Sequence, residues 1–130
     1  QTCALPISNH PVHLGTPKNT DGVPSISLDD FTEKNSILKI DFIKIDTDGH
    51  EYEVFKGAKQ AIKKYRPKII FEIGLYVMDE KNISFDFYFN YFNEMNYFLV
   101  DTKSNQKIDL DNYKKYIPKK GSTDLIAVPN

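Results

Sequence analysis

IDFIKIDTDGHEYEVFKGAKQAIKKYRPKIIFEIG, residues 40–74, holds two strand-like runs on either side of one helical stripe. The first run, Ile40–Asp46, is mostly apolar and broken in its middle by Lys44. Such a run is expected of a strand covered on both faces, and it reads as a central parallel strand. Asp48 then stands three residues before Glu51, the capping-box spacing in which side-chain oxygens satisfy the free N–H groups of a first helical turn. Val54, Phe55, Ala58, Ala61, Ile62 and Tyr65 follow as one stripe at helical period, and Pro67 stops it. Gly57 costs about 1 kcal/mol against Ala inside a helix, so it is expected to allow a close helix-to-sheet approach. Pro67–Gly74 repeats the strand pattern, and strand, helix, strand implies a parallel pair in an α/β fold.

On the N-terminal side, Val23–Leu28 alternates like a short strand, with Asp29 capping a brief helix. Residues 9–22, rich in Asn, Gly, Thr and Pro, read as loop or linker. QTCALPIS, residues 1–8, matches nothing in the later pattern and resembles a translated sequencing adapter, so it is expected not to belong to the domain of residues 23–130. On the C-terminal side, Ser84–Met95 reads as a helix whose stripe is Phe85, Tyr88, Phe89, Phe92 and Met95. Phe87 and Tyr91 lie off that stripe and are expected to cover something outside this chain. Asn96–Asp101 and Thr123–Pro129 read as strands pairing antiparallel at the sheet edge, and the polar stretch between them carries no clear pattern.

Composition narrows the function. A chain of 130 residues is one domain with enough length to bury a core. Lys+Arg 17 against Asp+Glu 18, with no basic stripe, argues against nucleic acid. Apolar runs of a few residues fall far short of a membrane span. The single Cys3 excludes an internal disulfide and a thiolate zinc site, and a reducing, cytoplasmic setting is expected. Arg66 is the sole arginine among many lysines, the usage of an AT-rich genome.

Ligands of open parallel sheets bind beyond the carboxyl ends of the strands. Asp46 closes the first strand and Glu72 lies near the end of the second, so neighbouring strands would turn both carboxylates to one crevice. His50, in the first turn of a helix, is a candidate base or an incidental surface residue. Lys44 shares a pleat face with Asp46 and is expected to pair with Asp46 or Glu72. Asp48 and Glu51 are accounted for as caps. The glycines fit neither GxGxxG nor GxxxxGK[ST]; DTDG lacks the spacing of an EF-hand loop; and HEYEV has Val54 where HExxH needs its second His.

Residues 40–74, with VPSISLDDF before them and DLIAVP near the end, resemble the second half of FkbM-type methyltransferases. The family motif K-I-D-x-[DE]-G-x-E falls on Lys44, Ile45, Asp46, Asp48, Gly49 and Glu51, and the acid after the next strand falls on Glu72. The resemblance implies part of a class I Rossmann-like methyltransferase fold and S-adenosylmethionine as cofactor. It implies methylation of a sugar or other hydroxyl-bearing metabolite, with Asp46, His50 and Glu72 near the acceptor oxygen. A divalent metal held by Asp46 and Glu72 is the alternative use of the two acids. The family's glycine-rich cofactor loop lies upstream of anything present, so the isolated chain is expected neither to bind cofactor tightly nor to transfer methyl, and its first strand to be left as an aggregation-prone edge. Two other classes stay open. One is a non-catalytic module, retained for packing or as a partner of a glycosyltransferase. The other is a phosphatase of the haloacid-dehalogenase type, with Asp46 as nucleophile and Asp48 as acid/base, although the usual downstream acids for magnesium are not evident.

Overall fold

The computed structural model describes residues 22–130, so the expectations for residues 1–8 and for all but the last of residues 9–22 lie outside the described residues. The elements are α1 (Leu28–Lys34), β1 (Phe42–Ile45), α2 (Glu51–Lys56), α3 (Lys59–Tyr65), β2 (Lys68–Ile73), α4 (Leu75–Lys81), α5 (Phe85–Glu94), β3 (Tyr97–Asp101), β4 (Lys107–Ile108), α6 (Tyr113–Tyr116) and β5 (Thr123–Pro129). They form a mixed α/β fold around one five-stranded sheet of order β1-β2-β5-β3-β4. β1 and β2 are parallel neighbours, as the sequence predicts, while β5 runs antiparallel to both β2 and β3. This is the arrangement of a partial Rossmann-like methyltransferase fold.

One face of the sheet carries the core. Ile69, Phe71 and Ile73 alternate inward along β2, and Phe55 of α2 and Phe92 of α5 meet the Phe71 ring at centroid distances of 5.1 and 5.4 Å. Edge-on and offset rings of this kind add about 0.5–1.5 kcal/mol per pair beyond the area they bury. The opposite face holds Lys44, Ile70, Glu72, Asp124 and Ile126, which are exposed or half-buried.

Several local expectations need correction. Val23–Leu28 is not a strand: Ser27 takes extended angles and its hydroxyl accepts from the Asp30 N–H, so α1 begins at Leu28. Asp29 caps a different helix, its carboxylate accepting from the N–H groups of Gln60 and Ala61 at 3.1 and 2.7 Å. That contact explains why the single helix expected from Glu51 to Tyr65 is two. The Asp29 N–H donates to the Gly57 carbonyl at 3.0 Å while its side chain starts α3, so α1 fills the break between α2 and α3. Gly57 does permit a close approach, but to Ser27 and not to the sheet; an added Cβ would lie 3.1 Å from Ser27 Cβ.

β1, central by its apolar run alone, is an edge strand among the described residues, as the family resemblance implied. Only Ile45 is buried in it and Phe42 is 53% exposed, because no strand among the described residues pairs with its outer side. Conversely, β5 is internal and not at the edge: it enters between β2 and β3, with Leu125 and Ala127 fully buried, and β4 forms the far edge. Finally, Tyr91 does not reach outward. Its hydroxyl donates to the Phe55 carbonyl at 2.7 Å from within the core, and Phe87 packs on Tyr52 at a centroid distance of 4.4 Å. α4 was not announced by any sequence pattern. It starts straight from Gly74 without a side-chain cap.

Candidate functional site

Parallel pairing makes β1 and β2 end on the same side of the sheet, and the register Ile45↔Phe71 sets Asp46 alongside Glu72. Carboxylate oxygens of Asp46, Asp48 and Glu72 lie within 4.8 Å of one another. Lys44, two residues before Asp46 and thus on the same pleat face, pairs with the Asp46 carboxylate and not with Glu72. The hydrogen bond and charge of Asp46 hold the Lys44 ammonium above its ordinary pKa. Glu72 accepts from the Ser122 hydroxyl, which the loop before β5 delivers.

The turn between β1 and α2 places Asp48. Both Asp48 (φ 51°) and Gly49 (φ 98°) adopt left-handed backbone, so His50 and not Asp48 takes the N-cap place, without a side-chain cap of its own. Glu51 is the first residue of α2 and not the third that a capping box needs, and its carboxylate serves the turn instead. Glu51, 4% exposed, reaches back to accept from the Thr47 N–H and hydroxyl, each at 2.9 Å, and from the Gly49 N–H at 3.4 Å. A buried carboxylate needs such donors, and here they tie the turn shut. His50 does not join the acid cluster; its Nδ1 lies 3.8 Å from Glu53 Oε2 on α2.

Beside the acids runs a cleft lined by Gly49, Glu72, Gly74, Tyr76, Val77 and Ser122. Sequence reasoning missed Tyr76, Val77 and Ser122. No local signal marks them, because α4 carries no cap and Ser122 belongs to the unassigned stretch. Burial first, then the charges of Glu72, Glu80 and Asp48, push the Tyr76 phenol up, so it stays protonated at neutral pH.

A model of the methyltransferase FkbM domain matches residues 5–99, more than half of the chain. The chain belongs to the FkbM methyltransferase family. No curated protein and no solved structure matches it. Membership implies an S-adenosylmethionine-dependent methyltransferase, and not the phosphatase type that a strand followed by DxDG also opens.

A glycine that cradles a ligand leaves the space of its absent Cβ to the ligand, whereas the space at Gly49 is filled by Val77 Cγ1, 2.8 Å from where a Cβ would sit. Gly74 likewise faces Tyr76 and the Gly121 carbonyl, each at 2.9 Å. What this part of the FkbM domain offers is a rim of hydrogen-bond acceptors, the carboxylates of Asp46, Asp48 and Glu72. Among the described residues no helix is long and apolar enough to cross a membrane.

Proposed function

We propose that this chain is the acceptor side of an S-adenosylmethionine-dependent O-methyltransferase acting on a sugar or other hydroxyl-bearing metabolite in the cytoplasm, and that it is inactive in isolation. The observation that carries this is the meeting of Asp46 and Glu72 at the carboxyl ends of adjacent parallel strands. Methylating a hydroxyl requires that its oxygen be aligned and its proton removed. Asp46 and Glu72 are suited to accept that proton or to orient the hydroxyl, with Lys44 and Ser122 fixing the two carboxylates.

Topology supports a cofactor half preceding β1. The steps from β1 to β2 and from β2 to β3 move across the sheet in one direction, and right-handed crossovers of that sense lay their helices on a single face. Helices for the half-open face would come from strands added beyond β1. The point where strand order then reverses, where such sheets bind ligands, is the end of β1 at Asp46.

The test is methyl transfer from labelled S-adenosylmethionine to a panel of hydroxyl compounds by the protein extended upstream to its start codon. Asp46→Asn is expected to lower turnover at least tenfold more than Asp48→Asn, both variants melting as the wild type does. Equal and small effects would reject the assignment. Calorimetry of the 130-residue chain is expected to give no micromolar affinity for the cofactor.

The mutual closeness of Asp46, Asp48 and Glu72 favours a second reading, in which the acids hold a hard divalent ion. Lys44 already supplies a cation to Asp46. Turnover that survives EDTA would sink the metal reading and leave the first intact.

A further inference from the structure

The carboxyl ends of the strands carry a second kind of charge. β2 and β3 both run antiparallel to β5, so they point the same way, and the chain leaving β3 comes out at the end where the acids lie. That connection, residues 102–122, holds six lysines against two aspartates. It is anchored at three points. Tyr113 stacks on Phe85, the first residue of α5, at a centroid distance of 4.5 Å; Ile117 is buried; and Ser122 donates to Glu72. Lys114 and Lys115 fall between the first two anchors, and Lys119 and Lys120 between the second and the third. All four are exposed, and none makes an ion pair among the described residues. Two residues of chain span about 7 Å at most, so the Lys120 backbone stays beside the contact of Ser122 with Glu72.

Unpaired ammonium groups on an anchored backbone attract anions, and lysine binds phosphate as a point charge. S-adenosylmethionine is not that anion, because its sulfonium and ammonium outweigh its one carboxylate. A long polyanion fits no better: Asp46, Asp48, Glu72 and Asp124 stand at the same end of the sheet and would repel the rest of its backbone. A small molecule with a phosphate or diphosphate at one end and a hydroxyl at the other meets both complements. We propose that Lys119 and Lys120, with Lys114 and Lys115 adding to the field, bind the phosphate or diphosphate group of the molecule whose hydroxyl lies at Asp46 and Glu72. The inference rests on the acceptor-side reading above and adds to it the charge of the acceptor.

The test titrates the 130-residue chain with inorganic pyrophosphate in metal-free, low-salt buffer and follows the backbone amides by proton–nitrogen correlation NMR. The amides of Gly121 and Ser122 are expected to shift saturably in the millimolar range, and sodium chloride at matched ionic strength is expected not to reproduce the shift. Lys119→Ser combined with Lys120→Ser is expected to weaken the apparent affinity at least fivefold, and Lys119→Arg combined with Lys120→Arg to retain it. Lys63→Ser combined with Lys64→Ser removes the same charge from the last turn of α3, which leads into the opposite end of β2, and is expected to leave the affinity within twofold. All of these positions are exposed, and unchanged melting of each variant is the check. No saturable shift in the wild type, equal weakening by the two serine pairs, loss in the arginine pair, or a single-stranded oligonucleotide bound at the same lysines more tightly than pyrophosphate would each overturn the proposal. An absence of methyl transfer in the upstream-extended protein would fail the methyltransferase reading and leave this pyrophosphate result standing.

Discussion

Gly49→Ala is expected to loosen the turn that carries Asp46 and Asp48, and to do so in part through Val77. Gly49 sits at φ 98°, and a Cβ there would lie 2.8 Å from Val77 Cγ1. The left-handed backbone alone costs an alanine about 1–2 kcal/mol. Forcing a methyl into an occupied space adds about 1–3 kcal/mol. Val77→Ala, at a half-buried position, is expected to lose about 1 kcal/mol of apolar burial. In the double variant the overlap disappears while the backbone strain remains, so the two single losses should overshoot the double loss by about 1–3 kcal/mol, the size of the overlap itself. Urea denaturation followed by far-ultraviolet circular dichroism of the four proteins supplies the cycle. Losses that add within about 0.5 kcal/mol would mean that Val77 is not what position 49 meets, and that α4 does not pin the acid-bearing turn.

Asp29→Ala should remove the cap of α3 and cost about 1–2 kcal/mol, whereas Asp29→Asn should keep most of it; equal losses in a denaturant titration would reject the capping role. Asp101 is buried, which raises its pKa, yet hydrogen bonds from the Ser104 hydroxyl and N–H outweigh that and hold it below the usual 3.8. A carboxylate depressed in the folded state stabilises fully above 3.8 and loses that contribution as pH falls through the lower folded value. Asp101→Ala should therefore be less stable than the wild type at pH 7, with the gap narrowing below pH 3.8, and a gap independent of pH would refute the assignment. Phe42→Lys, on the open edge of β1, should reduce concentration-dependent light scattering of the isolated chain; unchanged scattering would show that association uses another surface.

The parallel pair was legible because its evidence is local. Apolar runs at Ile40–Asp46 and Lys68–Ile73 and the stripe from Val54 to Tyr65 each report their own element, and strand–helix–strand order then leaves few topologies. The meeting of Asp46 and Glu72 followed from that pairing. His50 was harder, since its chain position puts it one turn from Asp46 while the backbone swings it toward Glu53. The break at Gly57 was illegible for the opposite reason. The stripe runs through it without interruption, and what splits the helix is Asp29, about thirty residues away in sequence.

The sequence by itself thus determined the family, the α/β class, the adjacency of β1 and β2 and the acids at their ends, because hydrophobic period and motif spacing act over a few residues. Only the tertiary structure decided that β5 fills the centre of the sheet and that Tyr76 and Ser122 stand beside Glu72. Those placements depend on which apolar faces find each other across the sheet, and spacing along the chain does not encode that choice.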